Sequence, residues 1–590
     1  MSATIRFTVA APNPHDHLYR VTMEIEAVGE DDHLDLSMPV WSPGSYLVRE
    51  YARHVQNLQA TDEDGSIRTV EKTDKATWRV DTTHTRSITI EYEVFAHDLN
   101  VRANHLDDTH GFFTGVALYL YPHGRRDEQV EVEVVPPPDF DWQVYTGLEQ
   151  LSPKTNRYGA PDFDVLFDTP VEMGDHTTVE FTVDEVPHRM VFSRRGNYDT
   201  EALEEDLPRV VRANRDIFGD LPYDDYLFIT LISDGSRGGL EHLNSTALIY
   251  PHDRFLPSED DHDTDDGYLD FLRLVCHEHF HAWNVKRIRP ERLGPFDYQR
   301  ENYTRDLWTV EGVTSYYDTL GLLRAGLIDA KGYLKRFLER IKRLERTPGR
   351  HLHSLEEASF DAWIKLYRKD EHTRNSSVSY YLKGELVCAL LDLRIRRESG
   401  GDRSMDDVLR YLWQHHSGPR GYPEGGYEKI VTEATGVELG DFFARYIRGT
   451  DPIRWNEELA SVGLKLEREV DEKKAWLGVR TKSSKAHRKV TFVPTDSPAH
   501  RHGIYAGDEI VAIDGWKVTR GGLSKHLRDK RPGDSVDVHV FRGGELRRCR
   551  VELGEPRPDT YRVLTRDDAD EESLELLEGW IGADGVKAEI

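Results

Sequence analysis

The first third of the chain alternates polar and apolar residues in short runs. YRVTMEIEAV (19–28) and SITIEYEVFA (87–96) are two of these runs, and turn-forming residues separate them. Alternation with a period of two places every second side chain on one face, which is typical of half-buried antiparallel strands. We therefore predict an antiparallel, sandwich-like β domain over residues 1–186.

One turn in this region lies between two aromatic residues. In PVWSPGSYLVREYARHV (39–55), the sequence Ser42-Pro43-Gly44 forces a turn between Trp41 and Tyr46. We interpret the segment as a turn supported by buried aromatic side chains. A direct catalytic role is the less favoured alternative.

Helical periodicity replaces the alternation beyond the β domain. Amphipathic stretches such as KGYLKRFLERIKRLE (331–345) predict an α-rich domain over residues 187–460. A β pattern returns over residues 470–555, where WLGV (476–479) and AGDEIVAIDGWKV (506–518) indicate turns around a buried strand. The tail, residues 556–590, is acidic, and EESLELLEGW (571–580) predicts a short helix within it. The predicted fold class is multidomain α+β.

The composition supports several folded domains and narrows the choice of partners. A chain of 590 residues exceeds the roughly 250 to 300 residues that one hydrophobic core supports. Its formal net charge of -29 repels nucleic acid and anionic lipid, so we expect neither nucleic acid nor a membrane as a partner. Peptides with a free amino terminus suit such a surface. The acidic excess also suits a salt-rich cytoplasm, an alternative that the count alone leaves open.

The cysteines and the apolar runs indicate a cytoplasmic protein. Cys276, Cys388 and Cys549 are far apart and form no CxxC pair, so we expect neither a disulfide framework nor a thiolate metal site. The first residues show no basic segment followed by an apolar run, so no secretory signal is visible. No stretch approaches 18 uninterrupted apolar residues. The sequence leaves the oligomeric state open.

The segment YLDFLRLVCHEHFHAWNVKRIRP (268–290) carries an HExxH motif. Phe271 and Val275 recur at helical spacing, and Asp265 or Asp266 can cap the start of a helix. We therefore predict a helix that ends before Pro290. Two histidines four residues apart on such a helix project from one face.

His277 and His281 form that pair and can bind one Zn²⁺ at about 2.0 to 2.1 Å. Glu278 lies one residue further round the helix, beside the metal, where a general base acts on water. The motif also arises by chance on solvated surface helices, and His279 adds another histidine to this region. The apolar opposite face favours a buried active-site helix over that alternative.

A second helical segment, LWTVEGVTSYYDTL (307–320), carries one carboxylate among aromatic and small residues. Burial of Glu311 would cost free energy unless the side chain were paired or metal-bound, so we predict it as the third ligand. Two imidazoles and one carboxylate leave an open coordination position, as in catalytic zinc sites. Asp318, seven residues later, returns to about the same helix face, where it either hydrogen-bonds a ligand histidine or faces solvent.

At these motifs the sequence resembles the gluzincin metallopeptidases, and specifically the PDZ-containing glycyl aminopeptidase family. The resemblance runs through most of the chain, because WSPGSY, HEHFHAWNVKRIRP, LWTVEGVTSYY and AGDEIVAIDG occur in the family's order. It implies a thermolysin-like zinc peptidase domain over 187–460, a PDZ-like module over 470–555 and one Zn²⁺ per chain. The gap from His281 to Glu311 is longer than in other zinc aminopeptidases, which favours the glycyl branch.

Two further motifs gain roles only through this resemblance. GGLEHLNS (238–245) resembles the Gly-x-Met-Glu-Asn edge strand of zinc aminopeptidases, although Leu and His replace Met and Asn here. That likeness implies Glu241 as the partner of the substrate α-ammonium, with Gly238 and Gly239 as backbone contacts. SYYLKGE (379–385) resembles the Tyr-Glu-Lys-Gly stretch, which implies Tyr381 as the transition-state donor and leaves Tyr380 as the alternative.

The resemblance implies an aminopeptidase that removes small amino-terminal residues, glycine or alanine, from peptides. One alternative is an endopeptidase in which the PDZ-like module captures the carboxyl terminus of the substrate. An alternative of another class is a non-catalytic peptide-binding scaffold, which the retention of all four zinc-site residues disfavours. The PDZ-like module itself either binds a peptide or protein ligand, packs on the catalytic cleft or supports a dimer.

Overall fold

Segments far apart in the sequence combine to form two units in the computed structural model. The structure describes residues 4–29, 31–152, 154–258, 266–483, 488–519 and 522–582. The first unit comprises residues 1–304, 317–329 and 406–430, and the second comprises residues 305–316, 330–405 and 431–590. The multidomain α+β class is confirmed, with a β-rich N-terminal region, a middle region rich in helices and a C-terminal β module.

The N-terminal part of the first unit is built on a seven-stranded sheet. Its strands alternate buried and exposed residues, as the sequence pattern predicts, and one of its pairings is parallel, between Ile5–Ala10 and Val130–Val135. From one edge to the other, the strands are Glu149–Ser152, Arg157–Ala160, Val130–Val135, Ile5–Ala10, Leu18–Glu26, Ser87–Phe95 and Val55–Asp62.

Two four-stranded sheets complete this β region. One has the order Tyr121–Pro122, His33–Ser37, Thr77–Asp81 and Val70–Asp74. The other has the order Gln143–Thr146, Val171–Gly174, His110–Phe113 and His105–Leu106. Short helical segments lie between the strands at Pro14–Asp16, Tyr51–His54, Gly115–Leu118 and Phe163–Asp168.

A five-stranded mixed sheet follows, whose first strand lies in the predicted β domain and whose other strands begin at or beyond its boundary with the region that the sequence predicts as α-rich. Its order is Thr177–Val183, Val186–Phe192, Tyr226–Ser233, Ser245–Pro251 and Gly238–Glu241. Every residue of Tyr226–Ser233 is buried, and this strand is parallel to both of its neighbours. Strands buried on both faces show continuous apolar runs rather than alternation, which explains why the period-two pattern does not reveal this sheet.

Helices pack beside this mixed sheet in the first unit. Thr200–Phe218 begins at Asp199, whose side chain accepts hydrogen bonds from two backbone N–H groups, and ends at Gly219. Gly267–Phe280 carries the HExxH motif, and Val313–Arg324 has its second half in this unit. Further helical segments are Glu291–Leu293, Met405–His416 and Tyr427–Thr435, the last of which ends in the second unit.

The second unit contains the other helices. Ala330–Glu345 is amphipathic and buries one apolar stripe, and Tyr380–Glu398 is buried along most of its length. Trp308–Gly312 is a π-helix that continues directly into Val313–Arg324. The remaining helical segments are Pro348–His351, Leu355–Phe360, Thr373–Ser376, Gly440–Phe442, Phe443–Arg448, Trp455–Leu459, Ala460–Val462 and Glu571–Ile581.

The C-terminal β module is also part of the second unit. Its core consists of buried aliphatic side chains, among them Val490, Ile510 and Val538. The module's strands are Arg480–Ser483, Arg488–Phe492, Glu509–Ile513, Trp516–Lys517, Ser535–Arg542 and Glu545–Glu552, and its short helices are Pro498–Arg501 and Ser524–Leu527. Leu464–Glu469 and Thr560–Thr565 form a separate two-stranded sheet. In the described parts of the chain, no helix is both long enough and apolar enough to cross a bilayer.

Candidate active site

The HExxH helix begins and ends close to where the sequence predicts. Asp266 caps it, because its Oδ1 accepts a hydrogen bond from the backbone N–H of Leu269 at 2.8 Å. Asp265, the other predicted cap, lies outside the described residues. The helix ends at Phe280, well before Pro290, and His281 follows with right-handed helical backbone angles. His281 therefore stays on the track of the helix, one turn beyond His277.

The two histidine rings approach each other on one face of this helix. Their centroids are 4.8 Å apart and their planes are inclined by 85°. His277 Nδ1 lies 3.2 Å from Asp318 Oδ2, and His281 Nδ1 lies 2.6 Å from the backbone oxygen of Asn284. Each ring thus donates its Nδ1–H to a fixed acceptor, which leaves the Nε2 lone pair for a metal. This donor set fits zinc.

Asp318 is buried, so the solvent-facing alternative does not hold. Its Oδ2 accepts a hydrogen bond from Arg273 Nη1 at 3.0 Å, and its Oδ1 accepts one from Thr319 Oγ1 at 2.7 Å. Burial alone would raise the pKa of this carboxyl, but the charge of Arg273 and the hydrogen bond with His277 hold it below its usual value. An ionised Asp318 can therefore orient His277.

His279 has a different environment from the two candidate ligands. It is fully buried, with Nε2 2.5 Å from Tyr223 Oη and Nδ1 3.0 Å from Asn214 Nδ2. Burial holds the pKa of His279 well below its usual value, so the ring is neutral. It anchors the opposite face of the HExxH helix in the core.

The edge strand Gly238–Glu241 runs beside this helix. Three atoms that could bind a metal, one each from Glu241, Glu278 and His281, lie within 4.8 Å of one another. A Cβ atom at position 239 would lie 2.3 Å from Glu278 Cδ, so only glycine leaves room for this carboxylate. Arg102 fixes the strand, because its Nη2 donates a hydrogen bond to the backbone oxygen of Gly239 at 2.7 Å.

Glu241 presents a buried carboxylate. Only 3% of the residue is exposed, and within the described part of the chain its Oε1 has no hydrogen-bond partner. Buried charges are normally paired, so an unsatisfied carboxylate oxygen indicates a ligand that supplies the donor. Gly238, three residues earlier, is less confined, since a Cβ there would be no closer than 3.8 Å to another side chain.

The WSPGSY turn contacts Glu241. Gly44 has a φ of +83°, and a Cβ at this position would lie 2.4 Å from Glu241 Oε1. Trp41 is fully buried and donates a hydrogen bond from Nε1 to the backbone oxygen of Asp297 at 2.8 Å. The predicted turn with buried aromatic anchors is therefore present. It also encloses a cavity of about 120 Å³, which Trp41, Gly44, Glu241, Phe296 and Tyr298 line with others.

Glu311 and Tyr381 belong to the second unit, where their two helices are in close contact. A Cβ at Gly312 would lie 2.6 Å from the Cα of Gly384, so two glycines allow the backbones to approach. Glu311 is buried on the π-helix. Burial and then the nearby charge of Glu311 raise the pKa of Tyr381 well above its usual value, so the phenol stays protonated.

Tyr380 differs from Tyr381 in its exposure. Tyr380 is fully buried, whereas Tyr381 is partly exposed and has its hydroxyl 3.2 Å from that of Tyr367. A donor to a substrate must reach the surface of a cleft. This difference favours Tyr381 over Tyr380.

Sequence reasoning did not identify three contributors to this geometry. Arg102 supports the edge strand, Asn284 fixes the tautomer of His281, and Gly44 adjoins Glu241. Arg102 acts through its side chain from a loop far away in the sequence, and Asn284 acts through its backbone carbonyl. Neither contact leaves a local sequence motif. Gly44 lies within WSPGSY, so that motif carried a signal.

Comparison with known proteins identifies the family. Residues 6–175 match the Peptidase M61 N-terminal domain, residues 270–387 match M61 glycyl aminopeptidase and residues 475–553 match the PDZ domain. A solved aminopeptidase N family protein from Idiomarina loihiensis is 32% identical, with a TM-score of 0.91, over 98% of this chain and 100% of its own.

Two other similarities are weaker. An M1 zinc metallopeptidase from Deinococcus radiodurans is 14% identical, with a TM-score of 0.47, over 76% of this chain and 94% of its own. A probable periplasmic serine endoprotease DegP-like from Marinomonas sp. (strain MWYL1) is 28% identical over 127 residues, which are 19% of this chain and 27% of that relative. The chain thus matches about a quarter of the length of this curated relative.

The full-length match and the domain matches together define a metallopeptidase of the aminopeptidase class. More particularly, the chain belongs to the M61 glycyl aminopeptidase family.

Proposed function

We propose that this protein is a zinc aminopeptidase in which His277, His281 and Glu311 hold one Zn²⁺. The Nδ1 atoms of both histidines are engaged, so their Nε2 atoms are suited to the metal. Glu311 supplies the anionic ligand, and its burial is compatible with binding to a cation. Bound zinc would polarise the scissile carbonyl and lower the pKa of water.

The chain's own residues then divide the remaining chemistry. Glu278 accepts a proton from the attacking water and delivers it to the leaving amine. Tyr381 donates a hydrogen bond to the developing oxyanion, and its raised pKa keeps that proton available. The edge strand at Gly238 and Gly239 offers backbone contacts to the substrate.

One observation carries the assignment as an exopeptidase. Glu241 Oε1, which has no hydrogen-bond partner among the residues that the structure describes, lies in a buried site beside Glu278 and His281. A substrate α-ammonium satisfies this carboxylate through a charge-assisted hydrogen bond. Because the strand fixes Glu241 relative to Glu278, the scissile bond is then the first peptide bond.

We infer a preference for amino-terminal glycine or alanine from the cavity beside Glu241. Its volume of about 120 Å³ lies below the roughly 300 to 1,000 Å³ that is usual for small-molecule sites. The α-ammonium takes part of that space, and buried aromatic rings bound the rest. Little room remains for a larger side chain.

The test combines metal content with hydrolysis of p-nitroanilides of glycine, alanine and phenylalanine and of amino-acetylated glycine. We expect one zinc per chain and cleavage of the glycine and alanine substrates only. Glu278→Gln should keep the zinc and lose turnover by several orders of magnitude, because an amide cannot accept the proton. Equal cleavage of free and acetylated substrates would make the protein an endopeptidase instead.

We also propose that the PDZ domain provides a peptide-binding surface and that the protein acts in the cytoplasm. The three cysteines are free, and two of them are buried, which supports a reducing compartment. Mixing the protein with peptides of different carboxyl termini would test the first proposal, and fractionation of cells would test the second.

A further inference from the structure

Four guanidinium groups line a cavity of the second unit. Its volume is about 700 Å³. Four segments line it: the end of helix Ala330–Glu345 with the residues that follow it, the WLGV segment with its neighbours, the end of strand Arg488–Phe492 with the residues up to Asp496, and the start of strand Thr560–Thr565 with the residues before it. The arginines of these segments that line the cavity are Arg346, Arg350, Arg480 and Arg557. We call this site the arginine cavity.

These four arginines lack an acidic partner. Among the residues that the structure describes, none of the four forms an ion pair with a carboxylate. The chain as a whole has a net charge of -29, so acidic residues are plentiful. Four unpaired guanidinium groups around one cavity therefore stand out against the composition of the protein.

The acidic residues of the cavity are largely engaged elsewhere. Glu345 pairs with Arg468 at 3.5 Å and accepts a hydrogen bond from Trp455 Nε1 at 3.1 Å. Asp559 pairs with Lys474 at 2.6 Å. Asp496 carries the remaining carboxylate of the lining, and this single negative charge is opposed by four guanidinium groups. The cavity keeps an excess of positive charge.

The four cations also affect one another. Partial burial, followed by the charges of Arg346 and Arg343, lowers the pKa of Arg480. Partial burial and the charge of Arg350 lower the pKa of Arg557 in the same way. A bound anion would relieve both the loss of hydration and this repulsion.

Contacts within the chain hold two of the guanidinium groups in position without a bound anion. Arg557 lies over the ring of Trp476, 3.9 Å from its centroid. Arg350 donates a hydrogen bond from Nη1 to the backbone oxygen of Thr347 at 2.9 Å. Side chains that are already ordered lose less entropy on binding a ligand.

We propose that the arginine cavity binds a small molecule that carries two or more oxyanion groups. Guanidinium groups bind phosphate and carboxylate through paired N–H donors, so a polyphosphate and a polycarboxylate share this chemistry. The volume falls within the roughly 300 to 1,000 Å³ of small-molecule sites. Four separated cations require several anionic groups on one ligand rather than a single charge. This site is separate from the aminopeptidase proposal and does not depend on it.

Isothermal titration of the full chain with tripolyphosphate and with citrate, each in physiological salt, tests the proposal. We expect one site per chain for at least one of the two, and the comparison identifies the source of the oxyanion. The double variant Arg350→Gln/Arg480→Gln should weaken that binding at least about tenfold, since it removes charge-assisted hydrogen bonds to the anion. Arg350→Lys/Arg480→Lys should weaken it less.

Arg548→Gln is the matched control. Arg548 lies in the same PDZ domain but is paired with Asp537, so its loss should leave the titration unchanged. Urea unfolding of each variant shows whether the fold is intact. Absence of binding by both anions, or equal binding by the wild type and the double glutamine variant, would overturn the proposal. Binding of a hexaglutamate peptide alone would also overturn it and assign the cavity to acidic peptides.

Discussion

Glu241→Gln should remove the recognition of the substrate amino terminus with little change in shape. Glutamine keeps the volume of the side chain and removes its charge. Glu241 is only 3% exposed, and in the described residues its Oε1 meets no donor. On the proposed mechanism the substrate ammonium compensates this carboxylate, and a neutral glutamine amide cannot take the place of the carboxylate.

The expected size follows from the strength of that contact. A hydrogen bond to a charged group is worth about 1.5 to 3 kcal/mol net, and each 1.4 kcal/mol corresponds to a factor of about ten. We therefore expect kcat/KM for glycine p-nitroanilide to fall about 10- to 150-fold. Because the site is buried and screened little, the loss should lie in the upper half of that range.

The assay compares free and amino-acetylated substrates in the wild type and the variant. The wild type should hydrolyse the acetylated substrate slowly, and the substitution should hardly change that rate, since this substrate carries no charge for Glu241 to bind. Wild-type activity on the free amine should decline above its pKa of about 7.7 to 8.0, where the amine loses its proton. The variant should lose this dependence.

Two controls separate recognition from structure. Zinc content should be unchanged in Glu241→Gln, and Glu241→Asp, which keeps the charge but retracts it, should retain part of the preference for free amines. An equal loss of activity on free and acetylated substrates would mean that Glu241 has a structural role, and no loss on either would refute its role as the ammonium partner.

Three further predictions concern neighbouring groups. Tyr381→Phe should lower kcat about 10²- to 10³-fold with little change in KM, because the lost hydrogen bond acts mainly in the transition state, whereas the same result for Tyr380→Phe would exchange their roles. Asp318→Asn should weaken zinc binding about 10- to 100-fold in a competition with a chelator, because it no longer fixes the tautomer of His277; unchanged affinity would contradict this. Burial lowers the pKa of His188 to about 4, so the unfolded chain binds a proton at this position first. His188 alone should therefore lower the free energy of unfolding by about 2 kcal/mol from pH 7 to pH 5. Urea unfolding of the wild type and of His188→Gln checks this, and an equal pH dependence in the two would exclude His188.

The fold could be read from the sequence where one face of an element is buried. The alternating strands Leu18–Glu26 and Ser87–Phe95 and the amphipathic helix Ala330–Glu345 follow the predicted patterns. Tyr226–Ser233 does not, because it is buried on both faces and its apolar run carries no period. Periodicity therefore does not predict this strand, whereas the edge strand Gly238–Glu241 is expected only through the resemblance of GGLEHLNS to the edge strand of zinc aminopeptidases.

Some residues of the candidate site can be predicted from a local motif, whereas others depend on contacts between segments that are distant in the sequence. HExxH places His277, Glu278 and His281 through helical spacing alone. Asp318 could be proposed from the spacing of its own helix, but its burial and its contact with His277 depend on the packing of two helices. Arg102 reaches Gly239 across 137 positions of sequence, and no pattern in one sequence encodes such a contact.

Two glycines leave room for carboxylates of the candidate active site. Gly239 leaves room for the Glu278 carboxylate, and Gly44 leaves room for that of Glu241. At position 44 the backbone also has a positive φ, so any other residue would be strained there as well as in collision with the carboxylate. The WSPGSY turn therefore bounds the space around the Glu241 carboxylate, and in the proposed mechanism it contributes no reacting group. The N-terminal β domain thus forms one wall of the proposed amino-terminal pocket. We therefore expect the size of the accepted residue to depend on this turn, which is nearly two hundred residues away in the sequence from Glu241.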